Sequence, residues 1–182
     1  MQPSGHLTID CYVDADFAGL YGVEDDQDPI SVKSRTGYVL LLANCPLLWV
    51  SKLQTEISVS TMEAEYIALS TSLRDLVPMQ EIIHEVAAAL GLNEKLKCSA
   101  NSTVFEDNNG ALTLATAPKL TPRSKHIAVK YHWFRKLVKT PSNKKATIEI
   151  QKVATEKQKA DIFTKGLPGE TFETICKLLI GW

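Results

Sequence analysis

The sequence predicts one α/β domain built around a mixed β-sheet. The first strand-like segment of the chain alternates apolar and polar side chains, which is the pattern of a half-buried strand, and two short apolar segments separated by a turn follow it. After them, strand-like and helix-like segments follow one another in turn, as in the βα units of a parallel sheet. The chain has 182 residues, which is enough for one well-buried domain. Its 45% apolar and 23% charged residues are ordinary for a globular protein.

The first three strands are predicted over Leu7–Val13, Thr36–Leu42 and Leu47–Ser51. The first alternates in polarity and is ended by the acidic, glycine-containing stretch Asp14–Gly19. The turn Asn44–Pro46 separates the second strand from the third, so we expect these two strands to form a hairpin.

A helix is predicted to begin at Ser60, because Ser60 and Glu63 have the S-x-x-E spacing of a capping box. It is expected to run to Asp75. Pro78 is expected to start or kink a following helix that ends at Leu90, since proline has no backbone N–H to donate and suits a first helical turn.

The second half of the chain alternates strands and helices, with turn-forming residues such as the Asp-Asn-Asn-Gly run between them. The predicted elements are a strand over Ser102–Glu106, helices over Ala111–Thr116 and His126–Lys139, a strand over Ala146–Val153, a helix over Glu156–Lys165 and a C-terminal helix from Pro168.

Several classes of protein are not expected. The longest apolar runs are far too short to cross a bilayer, so no contact with a membrane is predicted. The N-terminus has neither the basic nor the apolar region of a signal peptide. Four scattered cysteines, with no C-x-x-C pair, indicate reduced thiols and an intracellular protein, cytoplasmic or nuclear.

The net charge of −1 hides two regions of opposite sign. Seven carboxylates and no basic residue lie between Asp10 and Asp28. From Asn108 to Ile148 there is no acidic residue, whereas nine of the twenty basic residues lie there. A basic segment in a neutral protein indicates either a local polyanion contact or an ordinary solvated helix face.

Four acidic residues are predicted to share one position in the fold: Asp14, Glu65, Asp107 and Asp161. Asp14 and Asp107 lie at the ends of predicted strands, and Asp161 lies in the predicted helix after another strand. Groups at the carboxyl ends of strands converge on one crevice. Carboxylates at close range repel one another unless a cation intervenes, and oxygen ligands suit Mg²⁺ or Mn²⁺. Two such ions can activate a water and stabilise the leaving oxygen in phosphodiester hydrolysis.

Glu65 has a simpler alternative. It follows Glu63 by two residues, which on a helix separates their directions by about 200°. If Glu63 closes the cap, Glu65 faces small and apolar neighbours such as Ala68 and Leu69, where a carboxylate needs a cation. The alternative is a solvated acidic first turn that favours the helix dipole.

Seven segments of the sequence resemble the ribonuclease H domain of Ty1/copia-type retrotransposon polyproteins, in order and over most of the chain. They are Tyr12–Gly19, Ser34–Tyr38, Trp49–Gln54, Ser60–Ser70, Glu106–Ala111, Arg123–Ile127 with Tyr131 and His132, and Gln158–Lys165 with Leu167 and Pro168.

The resemblance implies an RNase H-like fold, with a five-stranded mixed sheet, flanking helices and an extra C-terminal helix. It implies Mg²⁺-dependent, two-ion cutting of the RNA strand in RNA–DNA hybrids, with Mn²⁺ able to substitute. The resemblance implies that the catalytic and metal-binding residues are Asp14, Glu65, Asp107 and Asp161. The expected partners are the hybrid and the reverse transcriptase domain of the same polyprotein, within a virus-like particle or the nucleus. The catalytic domain is expected over residues 1–168, with residues 169–182 as a helical tail.

Two points remain open at this stage. Asp16 points to the same face of an extended strand as Asp14, and only the family pattern prefers Asp14. The histidine that precedes the last aspartate in cellular relatives, and helps product release, has no counterpart between Lys144 and Asp161. Either His126 or His132 could replace it, or both could be structural.

Substrate contacts are predicted from two groups of residues. Small polar side chains suited to 2′-hydroxyls are Ser34, Thr36, Ser60 and Asn108, although each also fits a turn or a cap. Basic and neighbouring side chains suited to phosphates are Lys125, His126, Lys130 and Arg135.

Two rival functions are considered. A domain that keeps the fold and binds nucleic acid without cutting would gain nothing from clustered negative charge. A DNA strand-transferase of the same fold would have two aspartates before its glutamate, whereas here the glutamate comes second.

Overall fold

The sheet has five strands in the order β3-β2-β1-β4-β5, in a computed structural model that describes residues 8–25, 27–92, 101–120 and 126–181. Strands β1 to β3 form an antiparallel meander, and β4 pairs in parallel with both β1 and β5. Strands β1, β3, β4 and β5 therefore run in one direction and end at one edge, called here the carboxyl edge. The strands are β1 Ile9–Asp16, β2 Arg35–Leu42, β3 Cys45–Leu53, β4 Ser102–Glu106 and β5 Ile148–Lys152.

Within the described residues three α-helices flank the sheet, and the predicted C-terminal helix is one of them: α1 Thr61–Ala89, α2 Asn109–Thr116 and α3 Gly169–Ile180. The main core lies between one sheet face and α1, whose buried side chains include Ile67, Leu69 and Leu73. On the opposite face, Ile175 and Leu179 of α3 pack against β2. None of the helices that the structure describes is long and apolar enough to span a membrane.

The predicted capping box is present at the start of α1. The Ser60 hydroxyl oxygen accepts the N–H of Glu63 at 3.2 Å. The Glu63 carboxylate accepts the N–H of Val59, one residue before the cap, at 2.9 Å. Both contacts fix the direction in which the chain enters the helix, and so fix where Glu65 points.

The predicted break of this helix near Asp75 was wrong, since α1 continues through Pro78 to Ala89. Proline removes the hydrogen bond to the carbonyl four residues earlier, that of Arg74, and its ring crowds the same carbonyl, so the disturbance is confined to one turn. Pro78 is exposed, so water can reach that carbonyl, and the packed residues on either side keep the helix continuous.

Two other predicted helices were wrong. The segment His126–Lys139 forms two 3₁₀ turns, Val129–Tyr131 and Trp133–Leu137. The region of Glu156–Lys165 also forms two 3₁₀ turns, Thr155–Lys157 and Asp161–Phe163. Buried side chains spaced by three or four residues fit either kind of helix, so burial alone does not separate them. In the second segment, the side chain of Gln158 donates to the carbonyl of Val13 at 2.9 Å and ties the chain onto β1.

Strand ends also differ from the prediction. Strand β1 continues to Asp16, so Asp14 lies within the strand and opposite Gly37 of β2. The hairpin turn is at Ala43 and Asn44, both with positive φ, and β3 begins at Cys45. Two consecutive residues with positive φ are typical of a tight hairpin turn that matches the twist of its strands.

Candidate metal centre

Three of the four predicted acids converge at the carboxyl edge. Asp14 comes from β1, Glu65 from the start of α1, and Asp107 from the residue after β4, and one oxygen of each lies within 4.8 Å of the others. Asp14 is fully buried and Glu65 is 7% exposed. They line a cavity of about 440 Å³ together with Asp16, Asn108 and Lys165, among others.

The fourth acid joins this group through a lysine. The ammonium of Lys165 lies 3.0 Å from Asp161 Oδ1 and 3.1 Å from Asp14 Oδ1. Burial opposes its charge, but the carboxylates of Asp14 and Asp161 raise the pKa of Lys165 above its usual value. Asp161 is therefore held at the edge of the cluster by a cation of the protein itself.

A glycine allows this approach. A Cβ atom built on Gly37, opposite Asp14, would lie 2.5 Å from Thr164 Cγ2 and 2.8 Å from Phe163 Cβ. Those distances are too short for any side chain, so the turn that carries Asp161 and Lys165 rests directly on the β2 backbone. The Thr164 hydroxyl donates to Asp14 Oδ2, and the Thr155 hydroxyl donates to Asp107 Oδ2 at 3.0 Å.

Lys165 matches only part of the negative charge of the cluster. Burial, then the carboxylates of Glu106, Asp14 and Asp107, raise the pKa of Glu65 to about 11, against a smaller lowering by Lys165. Burial and Asp14 raise the pKa of Asp161 to about 6. One buried oxygen of Glu65, Oε2, has no hydrogen-bond partner in the described part of the chain. An unpartnered carboxylate oxygen among other carboxylates fits a bound divalent cation.

Sequence reasoning missed two residues of this site, Glu106 and Lys165. Glu106 is fully buried, and its Oε1 accepts the N–H of Asn108 at 3.0 Å. Burial raises its pKa well above the usual range, and its Oε2 also lacks a partner among the residues described. Alternation in β4, which puts Ser102, Val104 and Glu106 on the buried side, was the available signal. For Lys165, the signal was its spacing of four residues from Asp161.

Asp14 and Asp16 both line the cavity, so their shared strand face is confirmed, but their surroundings differ. Asp14 belongs to the group of three oxygens, whereas Asp16 does not. The Asp16 carboxylate lies over Gly19, where a Cβ atom would be only 1.7 Å from Oδ2. Burial raises the pKa of Asp16 as well.

The predicted substrate-binding side chains of the small polar type occupy different positions. Asn108 lines the acidic cavity and caps α2. Ser60 caps α1. Ser34 and Thr36 are buried: the Ser34 hydroxyl accepts the N–H of Ala18 at 3.3 Å, and that of Thr36 accepts from Gln54 Nε2 at 3.1 Å.

The predicted basic contacts are largely engaged with the protein. Lys130 forms an ion pair with Glu56, and a guanidinium N–H of Arg135 donates to the carbonyl of Ala117. His126 Nε2 lies 3.7 Å from Glu63 Oε2. Lys125 lies outside the described residues.

The two histidines considered for product release lie in different surroundings. His126 is exposed beside the cap of α1. His132 Nδ1 is 2.9 Å from the hydroxyl of the buried Tyr66. Burial and the nearby Arg135 lower the pKa of His132. The role of either histidine in product release stays a prediction.

Relatives of the chain are polyproteins of plant transposons. It is 34% identical over 170 residues, 93% of its length, to the retrovirus-related Pol polyprotein from transposon TNT 1-94 of Nicotiana tabacum. It is 30% identical over 177 residues, 97% of its length, to the retrovirus-related Pol polyprotein from transposon RE2 of Arabidopsis thaliana. The chain spans 11% of the length of each of these relatives. No protein-family model matches the chain.

A similar solved structure carries the expected fold. The N-terminal RNase H domain of Rv2228c from Mycobacterium tuberculosis superposes with a TM-score of 0.51 at 14% identity, over 94% of this chain and 97% of that one. RNase H1 from Halobacterium salinarum NRC-1 gives a TM-score of 0.49 at 15% identity, over 92% and 98%. The chain is therefore homologous to a segment of the retrovirus-related Pol polyproteins of plant transposons, and it has the RNase H fold.

Proposed function

We propose that the protein is an endoribonuclease that cuts the RNA strand of RNA–DNA hybrids and depends on two Mg²⁺ ions, with Mn²⁺ able to replace them. The observation that carries the proposal is the convergence of Asp14, Glu65 and Asp107 at the carboxyl edge of an RNase H fold. Homology to Pol polyproteins supports it, because RNA–DNA hybrids are the product of reverse transcription.

Asp14, Glu65 and Asp107 would hold a divalent cation, since their oxygens are close and the Glu65 Oε2 atom is unpartnered. A bound ion of this kind supplies a water of lowered pKa and stabilises a developing oxyanion. The protein's own hydroxyls orient the ligands, with Thr164 on Asp14 and Thr155 on Asp107. Asp161 lies beside this group and would complete the site for a second ion.

Lys165 has a defined part in this proposal. Its ammonium bridges Asp14 and Asp161 and offsets part of the repulsion between them. A second divalent ion would take over that neutralisation. The side chain is partly exposed, so it can move toward solvent or toward a phosphate without unfolding its surroundings.

The partners follow from the same proposal. An RNA–DNA hybrid is the substrate, and the reverse transcriptase segment of the same polyprotein is the expected neighbour. We expect the protein to act inside the cell, in particles of the element or in the nucleus.

The test compares cleavage of a labelled RNA–DNA hybrid, a double-stranded RNA and a double-stranded DNA of one sequence, each with Mg²⁺ and with EDTA. We expect RNA-strand cleavage of the hybrid alone, only with Mg²⁺, and none by the Asp107→Asn variant. Binding of the hybrid without cleavage would favour a silent nucleic-acid-binding domain instead. Cleavage or joining of double-stranded DNA would favour a strand-transferase.

A further inference from the structure

A fifth carboxylate, that of Glu106, lies beside the metal centre without belonging to the group of three converging oxygens. Glu106 ends β4 and shares a strand face with Val104, a residue of the main core. It is fully buried. A buried carboxylate lowers the stability of a fold, whereas an apolar side chain of the same size would raise it. Its presence at this position therefore indicates a role that an apolar residue could not perform.

The Glu106 carboxylate accepts hydrogen bonds from the backbone that follows it directly. Its Oε1 accepts the N–H of Asn108 at 3.0 Å, and the N–H of Asp107 also stabilises its charge. Asn108 in turn caps α2, because its Oδ1 accepts the N–H groups of Gly110 at 2.9 Å and Ala111 at 3.1 Å. The turn between β4 and α2 is therefore fixed at its first residue by Glu106 and at its last by Asn108.

Asp107 is the one acid of the converging three that lies outside regular structure. Asp14 is within β1 and Glu65 is within α1, whereas Asp107 lies in the connection from β4 to α2. Its side chain accepts a hydrogen bond from the exposed Thr155, whose hydroxyl donates to Oδ2 at 3.0 Å. A contact with an exposed hydroxyl leaves the backbone free to turn, so the direction of Asp107 depends on the turn that Glu106 holds.

We infer that Glu106 is a positioning residue for the metal centre. By accepting the N–H of Asn108 it fixes the turn that directs the Asp107 carboxylate toward the ion, and it does not contact the ion itself. The inference rests on the proposed function, because it concerns the same divalent-ion site. Groups that orient metal ligands in this way typically change metal affinity by about ten- to a hundredfold when they are removed.

Two substitutions separate positioning from charge. Oε2 of Glu106 has no hydrogen-bond partner in the part of the chain that the structure describes, so Oε1 carries the contact with Asn108. Glu106→Gln keeps a carbonyl oxygen that can accept this N–H but removes the negative charge. Glu106→Met has a similar length and removes both the acceptor and the charge. A positioning role predicts different results for these variants, whereas a role through charge predicts the same result.

The test measures the Kd for Mg²⁺ and for Mn²⁺ by isothermal titration calorimetry, without nucleic acid. Glu106→Met should raise both Kd values by at least about tenfold. Glu106→Gln should retain the wild-type values. In EDTA, both variants should melt at or above the wild-type temperature, because each removes a buried charge. Wild-type affinity in the Glu106→Met variant would overturn the inference, and so would an equal loss of affinity in Glu106→Gln.

Glu149 supplies a matched control. It is exposed on β5, the strand that pairs with β4. Glu149→Met makes the same chemical change at this residue and should leave both Kd values unchanged. A loss of affinity equal to that of Glu106→Met would mean that the net charge of the protein, not the turn, sets the affinity, and would overturn the inference.

Hydrogen exchange, followed by NMR in EDTA, measures the contact itself and needs no ion. The N–H of a helix cap has no acceptor inside its own helix, so protection of the Asn108 amide reports its bond to Glu106. Exchange should be slow in the wild type and in Glu106→Gln, and fast in Glu106→Met. Fast exchange in the wild type refutes the inference even if the Glu106→Met variant does not fold. A wild type that binds neither ion refutes the proposed function as well, whereas a Glu106→Met variant with wild-type affinity refutes the inference alone.

Discussion

The acidic cluster and the basic segment, residues 119–145, show opposite ways of placing charge. The acids come from regular elements, β1, α1 and the end of β4, and one buried oxygen of Glu65 has no hydrogen-bond partner among the described residues. The described part of the basic segment consists largely of 3₁₀ turns and loops, and two of its basic side chains, Lys130 and Arg135, contact acceptors within the protein. Titratable groups that rigid elements bring together, with strongly shifted pKa values, indicate a functional site, whereas a run of basic residues in the sequence is here partly used in contacts within the protein.

The strongest test of this contrast separates two glutamates on α1. Glu65→Gln keeps the size of the side chain but removes a charge from the cluster, and we expect hybrid cleavage to fall by several orders of magnitude. Glu63→Gln can still accept the N–H of Val59, so its stability and cleavage should survive. Rates for both variants on one hybrid decide the matter. Comparable rates would remove Glu65 from the site.

The pH dependence of stability tests whether the acids are unmatched. The folded-state pKa values of Asp161 and Glu65 are raised to about 6 and about 11, above those of the unfolded chain. Folding therefore favours their protonated forms, and this contribution is lost as the pH rises through the folded values. In EDTA, the free energy of unfolding should fall between pH 4 and pH 8. Urea titrations should show a smaller fall for Glu65→Gln, and an equal fall would contradict the assignment.

A divalent ion should reverse that loss. At a concentration of one hundred times its Kd, binding to the native state adds about 2.7 kcal/mol to the free energy of unfolding. The melting temperature of the wild type should rise with millimolar Mg²⁺ or Mn²⁺. The melting temperature of the Asp107→Asn variant should show no such rise, and in EDTA it should equal that of the wild type. A wild-type melting temperature indifferent to both ions would argue against a converged site.

The basic segment offers a smaller effect on stability. The Arg135 guanidinium donates to the Ala117 carbonyl, and its Nε is buried, so Arg135→Met should lower the free energy of unfolding by about 2 kcal/mol. Lys136 is exposed, and Lys136→Ala should change it by less than about 0.5 kcal/mol. Chemical denaturation of the two variants measures the difference. Equal, small effects would mean that Arg135 is free to bind substrate.

The sequence was sufficient to predict the five strands of the sheet and the convergence of Asp14, Glu65 and Asp107. Alternating polarity indicates the first and fifth strands, and short apolar segments bounded by turns indicate the others. Residues at the carboxyl ends of parallel strands meet at one edge, as Asp14 and Asp107 do. The capping box selected Glu65 because it assigned Glu63 to the helix end. These inferences depend on neighbours in the chain, which a sequence displays directly.

Other features depend on contacts between distant segments and could not be predicted. Lys165 reaches Asp14 only because the chain after β5 returns to β1, where Gln158 is hydrogen-bonded. The helix expected over His126–Lys139 failed because burial at intervals of three and four residues does not distinguish an α-helix from 3₁₀ turns. Thr36 was expected to face substrate, and the structure instead buries it, with its hydroxyl accepting from Gln54 Nε2.

The close packing at Gly37 has a consequence for reading related sequences. Because Thr164 leaves no room for a side chain there, a Gly37→Ala change would push Asp161 and Lys165 away from Asp14 while every acid remained in the sequence. A copy of this domain could then keep all four carboxylates and still be inactive. Inspection for intact acidic residues would score such a copy as functional, so position 37 belongs in any survey that separates working copies from decayed ones.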